Sequence, residues 1–451
     1  MLRIYQSESL AAAKSYYSTG LDSEGYYSKE GDGRWIGKGA TILGLQGAVN
    51  KRDFEFLCDN RRPGTLRKLN PREGRDRKIG YDISFSAPKS VSIMYEVVQD
   101  HRILPVFEHA VSKTMEAIEK DVQVRVRKGG KVDVRTTSNI VAAQFFHHTA
   151  RPTIRPGDNQ FLADPALHSH NYVFSTSYDE VEQRFKAIEL FRVKHDAPYY
   201  QAIFHSKLAM GLRGLGYGIE TKAFGFEISG VGDENIRRFS RRTTEIEELA
   251  ELLGISGNAK AKDKLGARTR KKKQVEQSPD DRLREWRSRI DRRQLNYHKF
   301  SGLVTGIRSG EAVELAISSG FERQSVVQQR RLITAALKYS LGVCHPLEIE
   351  TELMRRVDLV SRPWDGSVFT TTSGIIKEER EIVRFLKESA HEAIPINPFF
   401  VCEDELDNDQ KAAVEAMLRS RASVFVLEGK AGTGKTSLMK AAVAAMESAG
   451  E

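Results

Sequence analysis

Four histidines crowd between residues 147 and 170, as His147-His148 and His168-Ser169-His170. In an extended strand, residues two apart share a face, so His168 and His170 can reach one cation without backbone distortion. His147, at the end of the strand-like Ile140 to Phe146 run, can add a third nitrogen from a neighbouring strand. Three neutral imidazoles leave coordination positions open, which is the arrangement of a catalytic rather than a closed structural metal site. His148 would point to the opposite side of such a strand and is left out of the ligand set. Cys58, Cys344 and Cys402 are isolated from one another, so a thiolate zinc site is excluded.

Two tyrosine pairs, Tyr16-Tyr17 and Tyr26-Tyr27, lie within twelve residues near the start of the chain. A phenol with a pKa of about 10 is a reluctant nucleophile. With a base and a cation beside it, the phenolic oxygen can displace a nucleotide 3′-oxygen from phosphorus and leave a phosphotyrosyl ester. Tyrosine pairs alone are far more often packing aromatics, and only the histidine cluster raises them to candidates. Asp82 sits on the polar side of Tyr81-Asp82-Ile83-Ser84-Phe85. A carboxylate there can hold a ligand imidazole or accept a proton from a nucleophile, although an ordinary surface aspartate fits the isolated pattern as well.

A third chemical signal lies near the other end. Gly429-Lys430-Ala431-Gly432-Thr433-Gly434-Lys435-Thr436 fits the phosphate-loop pattern after an apolar run, Ser423 to Leu427, expected to be a strand. In such loops backbone N–H groups of the Gly429, Gly432 and Gly434 region cradle phosphates, Lys435 reaches the outer phosphates and Thr436 holds magnesium.

These residues need a scaffold of mixed class. Tyr81, Ile83 and Phe85 should face a core while Asp82 and Ser84 face away. A helix should follow from Val91 to Val98 and an amphipathic one from Val106 to Val122. Val132 to Gln144 and Asn171 to Ser177 read as strands, so the class is α/β or α+β. From about Glu234 to Asn296 the chain turns to charged helix, with Ile246, Leu249, Leu252 and Leu253 at helical spacing. Between Lys260 and Lys273 eight residues are basic and one is acidic, which reads first as a mobile linker able to touch phosphate. A second helical stretch spans about Ser301 to Ser361.

The whole chain has 451 residues, enough for about three domains. Its formal charge of +9 suits a polyanionic partner, and at 40% hydrophobic and 29% charged it is compositionally globular. It lacks a run of eighteen apolar residues to insert into a membrane and a signal-peptide pattern. With so few cysteines, the expected compartment is the cytoplasm.

Taken together, these pieces resemble the MobF class of conjugative relaxases, the TrwC/TraI-like proteins. The resemblance rests on Tyr16-Tyr17 with Tyr26-Tyr27, on Gly80-Tyr81-Asp82-Ile83-Ser84-Phe85-Ser86-Ala87-Pro88-Lys89-Ser90-Val91-Ser92, on His147-His148-Thr149-Ala150-Arg151 and on Asp164-Pro165-Ala166-Leu167-His168-Ser169-His170. It covers residues 1 to about 300. It implies an HUH-type palm, a central antiparallel sheet flanked by helices. It also implies that Tyr16 attacks first and Tyr26 second, with Tyr17 and Tyr27 secondary, that His147, His168 and His170 hold a divalent cation, and that Asp82 accepts the proton or orients a ligand. Magnesium or manganese is expected in the cell, with zinc or nickel able to take the site in crystals.

The basic, turn-rich segment with Arg62, Arg67, Lys68, Arg75, Arg77 and Lys78 corresponds in similar relaxases to a ribbon in the DNA major groove, and a plain solvated loop carries equal weight. The implied partners are single-stranded and origin-of-transfer DNA, other relaxosome proteins and a type IV secretion coupling protein, with passage of the protein into the recipient cell. Further on, Leu406 to Ala413 resembles the glutamine motif of superfamily 1 helicases, with Gln410 reading adenine, while Phe321 to Val326 and Val368 to Val383 resemble the start of RecD-like helicases.

The expected organisation is a relaxase core at 1–235, a charged helical extension at 236–300, a helical region at 301–400 and a truncated P-loop domain at 401–451. With so few residues after Thr436, the chain reads as a piece of a longer relaxase-helicase, with ATP and magnesium serving only the full-length motor and no unwinding by this piece. The expected reaction is metal-dependent, strand-specific nicking through a covalent 5′-phosphotyrosyl intermediate, followed by rejoining. The alternatives are a rolling-circle initiator or transposase with the same chemistry, an ATP-driven motor with a structural histidine cluster, and a DNA-binding protein without catalysis.

Overall fold

The computed structural model describes residues 1–7, 9–11, 13–14, 33–71, 77–153, 162–258, 261–262, 265–266, 269, 278–297, 306–403, 405–430 and 432–450. All four candidate tyrosines, Tyr16, Tyr17, Tyr26 and Tyr27, lie outside the described residues, as do Arg75 and most of the basic window from 260 to 273. The chain divides into two compact units, residues 1–322 with 329–355, and residues 323–328 with 356–451. The three helices between Ser309 and Arg355 thus fall in the first unit, where the sequence suggests a separate helical region.

The first unit is built on a five-stranded antiparallel sheet in the order β1-β3-β7-β6-β2, from β1 (Leu2–Gln6), β2 (Arg34–Ile36), β3 (Gly80–Ser86), β6 (Ala142–Thr149) and β7 (Pro165–Phe174). A smaller sheet joins β4 (Gln123–Lys128), β5 (Lys131–Thr136) and β10 (Ile188–Glu189), and β8 (Ser177–Asp179) pairs with β9 (Arg184–Lys186). The period-two pattern of β3 is realised: Tyr81, Ile83 and Phe85 are buried on one face. There they pack with the Ile103–Lys120 and Ala197–Gly214 helices, Phe85 meeting Phe204 at 5.0 Å between ring centroids. Each such fully buried side chain contributes about 1.5–3 kcal/mol.

The opposite face carries a second core under the Lys51–Cys58 helix. Phe54, Tyr172 and Phe174 form a mutual aromatic triad with centroids 5.0 to 5.5 Å apart. Each pair adds about 0.5–1.5 kcal/mol beyond burial and fixes that helix over β7. Gly37 explains how the edge closes: its φ is 97° and a Cβ there would lie 2.3 Å from the Ile140 carbonyl oxygen. Only glycine permits both.

Several segments differ from expectation: the strand expected at Asn171 to Ser177 is the end of β7, which begins at Pro165, followed by β8 from Ser177, and the helical region expected at 301–400 contains strands at Leu359–Trp364 and Ser367–Thr372. Val132 to Gln144 is not one strand, because Ser138 takes φ 50° and breaks it into β5 and β6. The expected strand at Ser423 to Leu427 does not form. Among the described residues no strand pairs with it, so the ladder that defines a strand is missing, and Val424 and Val426 remain 43% and 80% exposed. The second unit otherwise holds a hairpin, Leu359–Trp364 with Ser367–Thr372, and the helices Ser373–Glu388, Asn408–Arg419 and Lys435–Ser448, with a small core around Val414, Leu418, Leu438 and Ala442.

Candidate metal centre and active site

Three strands deliver the chemistry to one face. The β6–β7 register sets His147 opposite His168, and the β3–β7 register sets Ser84 opposite His170 and Asp82 opposite Tyr172. His168 and His170 share a face through period-two alternation, and His147 enters it from β6. A register shift between His147 and Thr149 marks a bulge next to the cluster, where bulges commonly re-aim side chains. The three rings form a nearly equilateral triangle, with centroids 5.0, 5.2 and 5.2 Å apart. One ligand nitrogen from each lies within 4.8 Å of the others.

The hydrogen bonds around the rings select ligand tautomers. His168 donates from Nδ1 to the Ala166 carbonyl at 2.8 Å, and His170 from Nδ1 to Asp82 Oδ2 at 2.7 Å. Both therefore present an Nε2 lone pair. Burial, with His170 second, pushes His168 down to about 3, keeping it neutral and ready to ligate. The other carboxylate oxygen, Asp82 Oδ1, is buried without a hydrogen-bond partner among the described residues. Three imidazole nitrogens this close together, two of them with the Nδ1 position already engaged, fit a divalent cation.

His148 lies on the other side of β6, with Nδ1 3.0 Å from Glu96 Oε1 and its ring stacked on Tyr95. It takes no part in the triad.

A buried charged junction where β7 begins has no counterpart among the residues singled out from the sequence. Asp164 accepts from the Arg241 amide at 2.8 Å and from the Arg289 guanidinium at 2.9 Å, while Arg289 also reaches Glu285 at 2.6 Å. Trp286 donates to the Ala163 carbonyl at 2.8 Å and Lys89 to that of Pro165 at 2.8 Å. This ties the Pro279–Arg289 helix to the residues just before His168. The signal was in plain view: Asp164 and Lys89 belong to the quoted motifs, but spacing alone does not reveal a partner over a hundred positions away.

The basic segment is a compact turn in its described part. An isolated bridge pairs Arg61 with Lys68, and the Arg62 amide donates to the Arg67 carbonyl at 2.9 Å. Arg62, Arg67 and Lys68 are exposed, and Lys78 is half-buried. Arg77 is engaged internally, its guanidinium donating to the Cys58 carbonyl.

In the second unit Gly432 and Gly434 take φ of 82° and 72°, and Gly434 caps the Lys435–Ser448 helix, as a phosphate-binding nest requires. Lys435 Nζ donates to the Gly429 and Lys430 carbonyls at 2.6 and 2.7 Å. Thr436 follows in the first turn, and Gly429 stands where a Cβ would meet Thr433 at 2.8 Å. Gln410 closes a capping box with Asp407, and its Nε2 donates to the Thr433 carbonyl at 3.0 Å. In this conformation its amide serves the loop rather than an open adenine pocket.

Comparison with known proteins gives a consistent picture. The TrwC relaxase family matches residues 10–293, and an AAA domain matches residues 405–451. The multifunctional conjugation protein TraI of Escherichia coli strain K12 is 30% identical over 299 residues, 63% of this chain but 16% of that protein's length. A copper-bound structure of the conjugative relaxase TrwC with oriT DNA is 29% identical with a TM-score of 0.56, covering 66% of this chain and 99% of that one. TrwC complexed with a 27-mer DNA comprising the recognition hairpin and the cleavage site is 27% identical with a TM-score of 0.55, over the same shares.

Proposed function

Because this chain belongs to the TrwC relaxase family of DNA-nicking enzymes, we propose a specific reaction for it: site- and strand-specific transesterification of origin-of-transfer DNA in conjugation. Tyr16 is the first nucleophile. Its phenolic proton passes to Asp82 Oδ1, the buried oxygen with no described partner, as its oxygen bonds to phosphorus and the P–O3′ bond breaks. The leaving 3′-oxygen takes up a proton from water, so the products are a 5′-phosphotyrosyl ester and a free 3′-hydroxyl end, and Asp82 returns its proton to solvent. Since the ester conserves the bond energy, attack by a 3′-hydroxyl reverses the step and rejoins the strand. Tyr26 performs the second transfer, and Tyr17 and Tyr27 are secondary.

His147, His168 and His170 hold the divalent cation, magnesium or manganese in the cell by availability. When bound, that cation supplies Lewis-acid stabilisation of charge on the phosphate oxygens. Asp82 Oδ2 meanwhile keeps the His170 ring in its ligating tautomer. Arg62, Arg67 and Lys68 contact the flanking duplex. The P-loop is the site for ATP with magnesium, and the protein partners are relaxosome proteins and a secretion coupling protein. Its place of action is the cytoplasm, with passage alongside the DNA; among the described residues no helix is long and apolar enough to cross a membrane.

The observation that carries this reading is the triad of histidine nitrogens with Asp82 behind it. Incubating the chain with a pool of single-stranded oligonucleotides and magnesium or manganese should yield a slow-migrating covalent adduct on denaturing gels. Sequencing the retained DNA identifies the nick site. An equal adduct from Tyr16→Phe would remove that nucleophile, and tight binding without any adduct would leave only a DNA-binding protein.

A further inference from the structure

A second ribbon lies in the smaller sheet, next to β10. Between Gln123 and Thr136 the chain carries Arg125, Arg127, Lys128, Lys131 and Arg135 against a single acid, Asp133, and no aromatic residue. The β4–β5 hairpin turns through Gly129-Gly130, with φ of 56° and 79°, the two-residue turn that matches strand twist. A Cβ at either glycine would meet nothing within 4 Å, so the tip is narrow and clear of neighbours.

The two faces differ in kind. Val124 and Val126 are buried on one. On the other, the register sets Arg125 beside Val134 and Arg127 beside Val132, with the two valines 44% and 68% exposed. The neighbouring acids are already occupied. Glu189 holds Arg125 at 2.6 Å, Asp133 accepts from the Val134 amide, and Asp179 and Glu182 are tied to Arg135, Lys186 and Arg184. Arg127 and Lys131 stay exposed at the distal end.

β10 pairs with β4, and Glu189 of β10 and Arg125 of β4 both act electrostatically on Tyr81 near the start of β3. There Lys194 Nζ lies 4.8 Å over the Tyr81 ring, and burial, with Lys78 second, holds Lys194 below its ordinary pKa. Glu189, which pairs with Arg125, also faces Lys194, so the exposed positive charge of this ribbon is concentrated at Arg127 and Lys131.

We propose that the β4–β5 hairpin is a second duplex-DNA ribbon, separate from the turn at residues 61–68, which grips the double helix. A two-stranded ribbon fits the major groove, where arginine takes phosphate or guanine edges and valine meets thymine methyl groups. The lack of an aromatic side chain argues against a platform for stacked single-strand bases. This goes beyond the proposed reaction, which stands whether or not the hairpin touches DNA.

The test is fluorescence anisotropy with Arg127→Gln/Lys131→Gln on a duplex of arbitrary sequence about 20 base pairs long and on its single strand, across a salt series. The expected result is about tenfold weaker duplex binding and a salt slope shallower by roughly 1–2, since each lost phosphate contact removes about 0.9. Single-strand binding and melting temperature should hold, and Arg127→Lys should restore affinity. Unchanged duplex affinity and slope, or an equal loss on the single strand, would overturn the proposal and leave an edge strand charged only against aggregation. If the double variant melts early, Lys131→Glu alone gives the same reading. Adduct formation on single-stranded substrate, measured in parallel, separates failure of this inference from failure of the relaxase reading.

Discussion

His170 donates its Nδ1 hydrogen to Asp82 Oδ2 at 2.7 Å across neighbouring strands, while Asp82 Oδ1 stays buried without a described partner. One carboxylate thus faces two tasks, and Asp82→Asn separates them from packing. The side chain keeps its size but loses its charge and its proton affinity. Metal affinity should fall about 10–100-fold through loss of the orienting anion, and nicking by a further 10²–10⁴-fold, roughly the share of a general base. Competition against a metallochromic dye and single-turnover adduct formation check the two numbers. Nicking reduced no more than metal occupancy would confine Asp82 to orientation.

Removal of the cation distinguishes a catalytic from a structural triad. The histidines sit on strands already held by two cores, so chelation should abolish adduct formation while moving the melting temperature by only a few degrees. His168→Ala should behave like the chelated protein and be insensitive to added manganese. Calorimetry with and without chelator decides this, and a collapse of the melting transition would assign the triad to structure.

How far this arrangement was legible in the sequence follows from what each signal depends on. Period two alone set Tyr81, Ile83 and Phe85 inward and Asp82 outward, and it paired His168 with His170, because strand alternation is a local rule. The contribution of β6 was legible from the apolar run that ends in His147. Its bulge was not, since the register shift is decided by pairing with β7. Likewise Ser423 to Leu427 has strand composition, yet a strand needs partners, and composition does not supply them. The Asp164–Arg289 junction joins residues 125 positions apart, beyond the reach of any spacing argument.

Arg330 marks where the first unit truly closes. Its guanidinium meets Asp121 at 2.5 Å and Asp196 at 2.6 Å, and lies 4.8 Å over the Tyr199 ring, so the Gln329–Tyr339 helix is bolted to the helices around Asp121 and Asp196. The Asp196 side chain is only 2% exposed. Arg330→Ala removes the guanidinium from a carboxylate that keeps His195 Nδ1 at 2.8 Å, and should cost about 1.5–3 kcal/mol in urea unfolding, the worth of a hydrogen bond to a charged group. Arg330→Lys should recover part of this, because one ammonium cannot reproduce the planar fork. A loss under 1 kcal/mol would mean that these helices pack without the ion pairs.

His205 sets a pH dependence independent of the metal ligands. Burial beside Phe204 and Phe226, with the N-terminal ammonium and then Lys338 adding repulsion, pushes it down to about 3 from 6.5. Below 6.5 the unfolded chain takes up a proton that the folded one refuses, so stability is intact above that value and is lost as pH falls toward 3. Between pH 7.5 and 5.5 this residue should remove about 1.4 kcal/mol, the energy of one pKa unit. Urea midpoints of the metal-free protein at the two pH values, compared with those of His205→Gln, isolate the contribution. The variant is less stable at both, since glutamine fills the aromatic site poorly, but its pH slope should be shallower by that amount. Parallel slopes in the two proteins would show that His205 keeps an ordinary pKa in the folded state.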